Sequence, residues 1–231
     1  MSKAEAWTTD DKDEIPPRVL AELEAAGVTP GRPLIAVDAD EVLVHFAESF
    51  KAFCEARGNT FELTEYKLDN ALRGPDGTSL TREEITPLIW SFIEGETGRQ
   101  PPVPGAAEAL ARLSEVAQIV VLTNAPAKVR ADRLQNLADL GMGYPLVMNE
   151  GGKGRALNWL AERAAAPVVF VDDSAAQHAS ARKHAPSVTR IHLVGSEMLK
   201  KILGRVEAAD VWPEDWAGAE AEIRKAIGDG A

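Results

Sequence analysis

Acidic side chains follow two short apolar runs of this chain, at the point where each run ends. Asp38, Asp40 and Glu41 come directly after PLIAV, and Asp172 and Asp173 come directly after VVFV. Carboxylates that lie side by side need a cation to stay charged, because each raises the pKa of its neighbours. Oxygen ligands alone favour a hard divalent ion, with Mg²⁺ the first candidate because it binds a few carboxylates together with a substrate phosphate. The residue types therefore indicate chemistry on a phosphate group.

Three further polar residues have types that suit phosphate. Thr123 and Asn124, after the run QIVVL, offer a hydroxyl and an amide, and Lys153 offers a positive charge at a predicted helix start. Such groups suit phosphoryl transfer, in which catalysis is mostly positioning and charge neutralisation. Asp38 could attack phosphorus, and Asp40 could protonate the leaving oxygen and then activate water. Residues two apart in an extended strand point the same way, as this pairing requires.

Strands and helices alternate along the part of the chain that must position these residues. Five short runs lack apolar/polar alternation, which is typical of strands buried on both faces of a parallel sheet: 33–40, 117–126, 144–150, 166–174 and 188–194. Helical patterns separate the later runs: 104–116, 125–141, 154–165 and 174–185. The alternation predicts an α/β fold with a doubly wound parallel sheet. Ligands bind at the carboxyl ends of such strands, so the acids and Lys153 are expected to converge there.

The other segments are assigned by composition and length. Residues 1–30 are predicted to be a polar arm, over 1–16, followed by a helix. Residues 31–45 and 104–231 are predicted to form the α/β core, with C-terminal helices that pack on it. Residues 46–103 carry helical patterns but no convincing buried strand, and they are too long for one crossover helix. They are predicted to form an inserted, mainly helical module.

Composition excludes several classes of protein. The chain has 231 residues and a formal net charge of -11, so on average it repels nucleic-acid phosphates. Its single cysteine, Cys54, excludes an internal disulfide framework and a multi-cysteine zinc site. No apolar run suits a membrane span or a signal peptide. A cytoplasmic protein that binds neither nucleic acid nor membrane is expected; the tail residues Trp212 and Trp216 allow a dimer, and the oligomeric state stays open.

The order of these residues resembles that of the haloacid dehalogenase (HAD)-like superfamily over roughly residues 33–195. Its phosphatases carry hhhhDxD, an apolar strand ending in Ser or Thr, a Lys at a helix start, and an acidic pair after a strand. IAVDAD, VVLTN, Lys153 and FVDDS match these motifs in that order. The resemblance implies a Rossmann-like core with a small helical C1 cap at 46–103. It also implies that Asp38 is the nucleophile and Asp40 the general acid/base.

The resemblance further implies an Mg²⁺ site made by the same acids. Asp38, Asp173 and the backbone carbonyl of Asp40 would bind the ion, and Asp172 would either bind it or contact a ligand. Thr123, Asn124 and Lys153 would bind the phosphate group. One position departs from the superfamily pattern, because Glu41 stands where these phosphatases have Gly. Its side chain adds bulk where Gly permits unusual backbone angles, and it can place negative charge near an anionic substrate.

The leading hypothesis is an Mg²⁺-dependent phosphatase that hydrolyses a small phosphorylated metabolite through an aspartyl-phosphate on Asp38. Rival enzyme activities are phosphotransfer to an acceptor other than water and cleavage of carbon–halogen or carbon–phosphorus bonds. Dehalogenases of the superfamily lack an acid at the position of Asp40, which speaks against that branch. The alternative from another class is a catalytically weak protein that binds a phosphorylated ligand or partner, with Glu41 limiting turnover. The residues of 46–103 match no specificity motif that would identify the substrate.

Overall fold

The computed structural model describes residues 14–63 and 71–229, so most of the predicted N-terminal arm lies outside the described residues. Seven strands lie in this part of the chain: β1 (Leu34–Val37), β2 (Thr60–Phe61), β3 (Leu72–Arg73), β4 (Gln118–Thr123), β5 (Leu146–Met148), β6 (Val168–Asp172) and β7 (Thr189–His192). It also contains nine α-helices: α1 (Pro17–Ala25), α2 (Ala47–Glu55), α3 (Arg82–Glu96), α4 (Ala106–Leu113), α5 (Arg130–Asp139), α6 (Gly154–Ala164), α7 (Ala175–His184), α8 (Glu197–Lys200) and α9 (Trp216–Ile227).

Five of the strands form one parallel sheet in the order β5-β4-β1-β6-β7. Central strand β1 is in register with both neighbours, since Val37 lies beside Val121 of β4 and Val171 of β6. The chain builds one side of the sheet with β4 and β5, then crosses to the other side with β6 and β7. Such a reversal of strand order opens a crevice at the carboxyl ends of the strands. The predicted doubly wound α/β fold is confirmed.

Apolar side chains cover both faces of this sheet. On one face, Ile35 and Val37 pack in a cluster with residues of α4 and α9. On the other face, Leu34 and Ala36 pack with residues of α1, α6 and α7. Neighbouring residues of a strand point to opposite faces, so a strand buried on both must be apolar throughout. This is why the strand sequences lack alternation.

Helix α1 lies along the outer edge of the sheet, beside β5. It begins at Pro17, a residue whose fixed φ suits the first turn of a helix. Glu22 of α1 accepts a hydrogen bond from the backbone N–H of Met148 at 2.7 Å. Arg18 pairs with Glu150, just beyond β5, also at 2.7 Å. Helix α1 therefore occupies part of the open side of β5.

Helices α2 and α3 and the hairpin of β2 and β3 lie within residues 46–103. The antiparallel β2–β3 pair is separate from the main sheet. Phe50, Phe53 and Phe92 are central to an apolar cluster of this segment, and the Phe92 ring centroid lies 5.3 Å from that of Phe50 and 5.4 Å from that of Phe53. Such edge-to-face rings bury much apolar area. The segment therefore contributes most of the residues of this cluster, and Val129 joins it from outside the segment.

The chain leaves the core and returns to it at neighbouring positions. The backbone N–H of His45 donates to the carbonyl of Pro101 at 2.9 Å, and that of Val103 donates to the carbonyl of Leu43 at 2.8 Å. Two crossings that pair in this way are typical of an insertion. The division of the chain at 46 and 103 itself stays a prediction.

The tail of the chain returns to the α/β core. Trp216, at the start of α9, is 1% exposed, and its indole N–H donates to the carbonyl of Val42 at 2.8 Å. Trp212 is half-buried and donates to the carbonyl of Val206. Trp216 thus packs inside the molecule and is not available for a dimer contact. In the described ranges, every helix is too short or too polar to cross a membrane.

Candidate active site

Three carboxylates meet at the carboxyl ends of β1 and β6. Asp38 directly follows β1, and Asp172 is the last residue of β6. Because Val37 and Val171 are in register, the next residues of the two strands also lie side by side. Carboxylate oxygens of Asp38, Asp172 and Asp173 all lie within 4.8 Å of one another, and the three side chains are buried. The structure thus brings these predicted site residues together.

Lys153 joins this cluster from the start of α6. Its ammonium lies 2.8 Å from Asp38 Oδ1 and 2.6 Å from Asp172 Oδ2, and the side chain is 1% exposed. Burial alone would lower the pKa of Lys153, but the charges of Asp172 and Asp38 outweigh it and raise that pKa. The ammonium therefore stays charged. The backbone N–H of Lys153 donates to Gln177 Oε1 at 2.8 Å, which fixes the start of the helix against α7.

The two acids at the end of β6, Asp172 and Asp173, differ in their surroundings. Asp172 is held by protein groups on both oxygens, since Oδ1 accepts the backbone N–H of Ser174 at 2.7 Å and Oδ2 contacts Lys153. Asp172 is thus suited to orient the ammonium. Burial raises the pKa of Asp173, and the charges of Asp172 and Asp38 raise it further. Burial also raises the pKa of Asp38, against the opposing charge of Lys153. Burial is the main cause of both shifts, and the neighbouring carboxylates add to it.

Asp40 occupies a turn, and the prediction that it shares one extended strand with Asp38 is wrong. β1 ends at Val37, and Leu43 N–H donates to the carbonyl of Ala39, which bends the chain away from the sheet. The Asp40 carboxylate instead contacts Arg133 of α5, at 2.5 Å. Burial raises the pKa of Asp40, and the Arg133 guanidinium offsets this only in part. A carboxyl with a raised pKa is suited to carry a proton.

Thr123 and Asn124 lie at the end of β4 and line the same cavity as Asp38 and Asp40. Thr123 is 1% exposed, and its hydroxyl accepts the backbone N–H of Ala125 at 3.4 Å. The Asn124 amide donates to the carbonyl of Gly151 at 2.8 Å, and its oxygen accepts from Asn149 at 2.9 Å. Asn124 therefore braces the loops after β4 and β5 against each other.

The cavity has a volume of about 160 Å³ and lies between the sheet and residues of the 46–103 segment. Phe46, Ile93 and Thr97 of that segment form part of its wall. Arg133 and Gln177 also line it, and neither belongs to a motif in the sequence. One sequence signal marks Arg133: it occupies a core-facing position in the helical pattern that continues through Leu137. In the structure the Arg133 side chain is 1% exposed. A charged residue at such a position needs a buried partner.

Glu41, which stands at the glycine position of the motif, keeps a glycine-like backbone. Its φ is 64°, in the left-handed region that strains residues with a side chain. The side chain is 4% exposed, and one of its oxygens accepts the backbone N–H of Ala47. Burial raises the pKa of Glu41 to about 7. The carboxylate faces His45 and Glu48, and it is not part of the cavity wall.

Comparison with known proteins identifies the fold. No protein-family model and no curated protein matches the sequence. A HAD family hydrolase from Deinococcus radiodurans R1, with bound phosphate and sodium, is 16% identical with a TM-score of 0.58, over 86% of this chain and 97% of the other. An L-2-haloacid dehalogenase is 13% identical with a TM-score of 0.54, over 84% and 100% of the two chains. A predicted phosphoglycolate phosphatase from Haemophilus somnus 129pt is 15% identical with a TM-score of 0.52, over 80% and 94%.

These solved structures are of HAD-like proteins, and the present chain has their fold. Identities of 13% to 16% carry no information on substrate, and the neighbours differ in the reactions for which they are named. The activity therefore has to be argued from the site.

Proposed function

We propose that this chain is a cytoplasmic Mg²⁺-dependent phosphatase that hydrolyses a small phosphomonoester through an aspartyl-phosphate on Asp38. The observation that carries the proposal is the meeting of Asp38, Asp173 and Lys153 at one end of the sheet. This arrangement provides a carboxylate nucleophile, an additional acid for a metal ion and a charged group for phosphate. It matches the requirements of phosphoryl transfer, for which positioning and charge neutralisation are the main contributions.

The residues fit Mg²⁺ by the chemistry of their donors. Their ligand atoms are carboxylate oxygens, which Mg²⁺ prefers, and three buried acids face a single ammonium. A divalent cation would balance the remaining negative charge. Asp38, Asp173 and the backbone carbonyl of Asp40 would hold it, and Asp172 would support the site through Lys153. When bound, Mg²⁺ would neutralise charge on the phosphoryl group during transfer.

The side chains divide the reaction between them. Asp38 attacks phosphorus while the bond from phosphorus to the leaving oxygen breaks, and Asp40 gives that oxygen its proton. Lys153 and Thr123 hold the phosphoryl oxygens. Asp40, now a carboxylate, then removes a proton from water while the water oxygen attacks phosphorus. The bond between phosphorus and Asp38 breaks, and phosphate is released. Arg133 holds the Asp40 carboxyl in place throughout.

The cavity favours a small substrate. At about 160 Å³ it is smaller than the roughly 300–1,000 Å³ of common ligand pockets. Phe46 and Ile93 supply apolar walls on the side of the 46–103 segment. We infer that this segment acts as a cap that excludes bulk water, and that a small phosphorylated metabolite is bound between cap and sheet.

The test is hydrolysis of p-nitrophenyl phosphate in the presence of Mg²⁺. Asp38→Asn removes the nucleophile without changing its size, so turnover should fall at least ~10³-fold. Asp139→Asn is the matched control, because Asp139 is an exposed residue of α5, and this variant should leave turnover unchanged. Chelation of the metal should also abolish turnover. An Asp38→Asn protein as active as the wild type would refute the assigned nucleophile.

The same preparations test the alternative functions. If the chain were a binding protein with impaired catalysis, the wild type would bind phosphate without turnover. The Glu41→Gly variant would then gain turnover. A dehalogenase would release chloride from a chlorinated carboxylic acid. The proposal expects neither result, because the Glu41 carboxylate is outside the cavity wall and Asp40 supplies the acid/base.

A further inference from the structure

A second group of metal-ligating side chains lies where the first motif leads into α2. Ligand atoms of Glu41, His45 and Glu48 all lie within 4.8 Å of one another. Glu41 comes from the turn after β1, whereas His45 and Glu48 are three residues apart around the start of α2. None of the three is part of the cavity wall of the candidate active site. The group is therefore a separate feature of the molecule.

Each of the three residues contributes a buried atom without a hydrogen-bond partner: Glu41 Oε2, His45 Nδ1 and Glu48 Oε2. Glu41 is the most enclosed, with 4% of its surface exposed. His45 Nδ1 and Glu48 Oε2 lie 3.4 Å apart and form an ion pair when the imidazole is protonated. Two neighbouring buried carboxylates are unfavourable when they share at most one imidazole, because they have lost water and repel each other. A cation among them would remove both costs.

The second oxygen of each carboxylate is fixed by the protein. Glu41 Oε1 accepts the backbone N–H of Ala47, and Glu48 Oε1 accepts the hydroxyl of Ser196 at 2.5 Å. Hydrogen bonds of this kind orient the carboxylates of metal sites. They leave Glu41 Oε2 and Glu48 Oε2 without a hydrogen-bond donor from the protein, and Glu48 Oε2 lies 3.4 Å from His45 Nδ1.

We propose that Glu41, His45 and Glu48 bind a divalent transition-metal ion, through one oxygen of each carboxylate and Nδ1 of the imidazole. A mixed nitrogen and oxygen donor set favours Zn²⁺ over Mg²⁺, because imidazole suits Zn²⁺ and Mg²⁺ prefers oxygen ligands alone. The ion joins the turn after Asp40 to the start of α2, and through Ser196 to α8. Its role is structural: it holds the first helix of the 46–103 segment against the core. Ligation also accounts for a glutamate at a position whose φ favours glycine.

Zinc titration of metal-free protein against a chromophoric chelator tests this site. Asp173→Asn is used as the background, because it removes a carboxylate from the proposed Mg²⁺ site. We expect one equivalent of Zn²⁺ in Asp173→Asn and none when Glu48→Gln is added. The matched control is Glu55→Gln in the same background, because Glu55 is an exposed residue of α2. This control should still bind one equivalent of Zn²⁺. Equal Zn²⁺ uptake with and without Glu48→Gln would overturn the proposal.

A second measurement needs no variant. Anomalous diffraction from wild-type crystals soaked in Zn²⁺ should show a peak between Glu41, His45 and Glu48, and soaked crystals without a peak there would also overturn the proposal. Failure of the proposed Mg²⁺ site has a different signature. In that case Asp173→Asn would bind as much Zn²⁺ as the wild type, while the loss caused by Glu48→Gln would persist.

Discussion

Two positively charged side chains are buried against carboxylates beside the cavity. Lys153 lies between Asp38 and Asp172, and Arg133 contacts Asp40. Buried ion pairs add little net stability, because desolvation of both partners offsets their attraction. Their value here is orientation: the nucleophile and the acid/base of the proposed reaction each have a partner that fixes one carboxylate oxygen.

Substitution of Arg133 is expected to impair proton donation more than phosphate transfer as such. General acid catalysis contributes typically 10²–10⁴-fold, and Arg133→Met leaves Asp40 without the group that orients it. An alkyl phosphate needs the proton for its leaving oxygen, whereas p-nitrophenolate leaves readily without one. We therefore expect kcat for glycerol 2-phosphate to fall about tenfold more than kcat for p-nitrophenyl phosphate.

Both substrates are measured with wild type, Arg133→Met and Arg133→Lys. The lysine variant keeps the charge but not the planar fork of donors, so an intermediate loss is expected. An equal loss on the two substrates would show that Arg133 supports the fold or binds substrate, and does not position the acid.

The sequence allows the acids and Lys153 to be predicted, because each stands next to a strand or helix end that periodicity reveals. Arg133 carries no such mark beyond its core-facing position in a helix. The contact with Asp40 spans 93 residues of sequence, and no spacing rule connects them. The same holds for Glu48 and Ser196, which are 148 residues apart. Side chains of this kind are found only when the tertiary structure is known.

Among the elements, α6 and α7 make an unusually close approach that sets the position of Lys153. A Cβ placed on Gly154 would lie 2.1 Å from the carbonyl oxygen of Ser180 in α7. Gly154 N–H also donates to the Ser180 hydroxyl at 3.1 Å. Since backbone atoms cannot move aside easily, any side chain at 154 would push the start of α6 away from α7.

Gly154→Ala is accordingly expected to lower the free energy of unfolding by about 1–3 kcal/mol and to reduce turnover, because Lys153 moves with the helix. Gly95→Ala is the matched control. Gly95 lies inside α3 with nothing within 4 Å of a new Cβ, so this substitution should stabilise the protein by up to ~1 kcal/mol. Urea unfolding measures both. The prediction is contradicted if the two variants are equally stable.

Periodicity predicted the order and type of the main elements well, because strands buried on both faces and amphipathic helices leave strong patterns. It was weaker where local contacts decide. β1 ends at Val37, three residues before the predicted end, because a tight turn begins at Ala39. The hairpin of β2 and β3 has only two residues per strand, which is too short for a pattern.

For the molecule as a whole, buried histidines make stability depend on pH. His178 packs near Phe170 and His192, and its Nε2 contacts the carbonyl of Asp172 at 2.9 Å. Burial lowers the pKa of His178 to about 4. In the unfolded chain the pKa of this histidine is ~6.5. Between its folded and unfolded pKa values, the unfolded chain therefore binds a proton that the folded chain does not. Protons favour unfolding in that range, so stability falls as the pH drops from ~6.5 to ~4.

The contribution of His178 to this loss is at most on the order of 3 kcal/mol. It is measured by urea unfolding of wild type and His178→Gln at pH 7.5 and at pH 5. Glutamine cannot be protonated, so the wild type should lose more stability than the variant between the two pH values. Above pH 7 the histidine is neutral in both states and adds no pH dependence. A parallel decline of the two proteins would contradict the assignment.

The contact between α1 and β5 has a consequence for how copies of the chain behave together. A strand with one unpaired side is a template on which a second molecule can add its own strand, and this is a common start of aggregation. Glu22 occupies the outward N–H of Met148, and Arg18 and Glu150 place charges at the same border. The N-terminal helix thereby occupies part of the border at which a second molecule would have to add its strand.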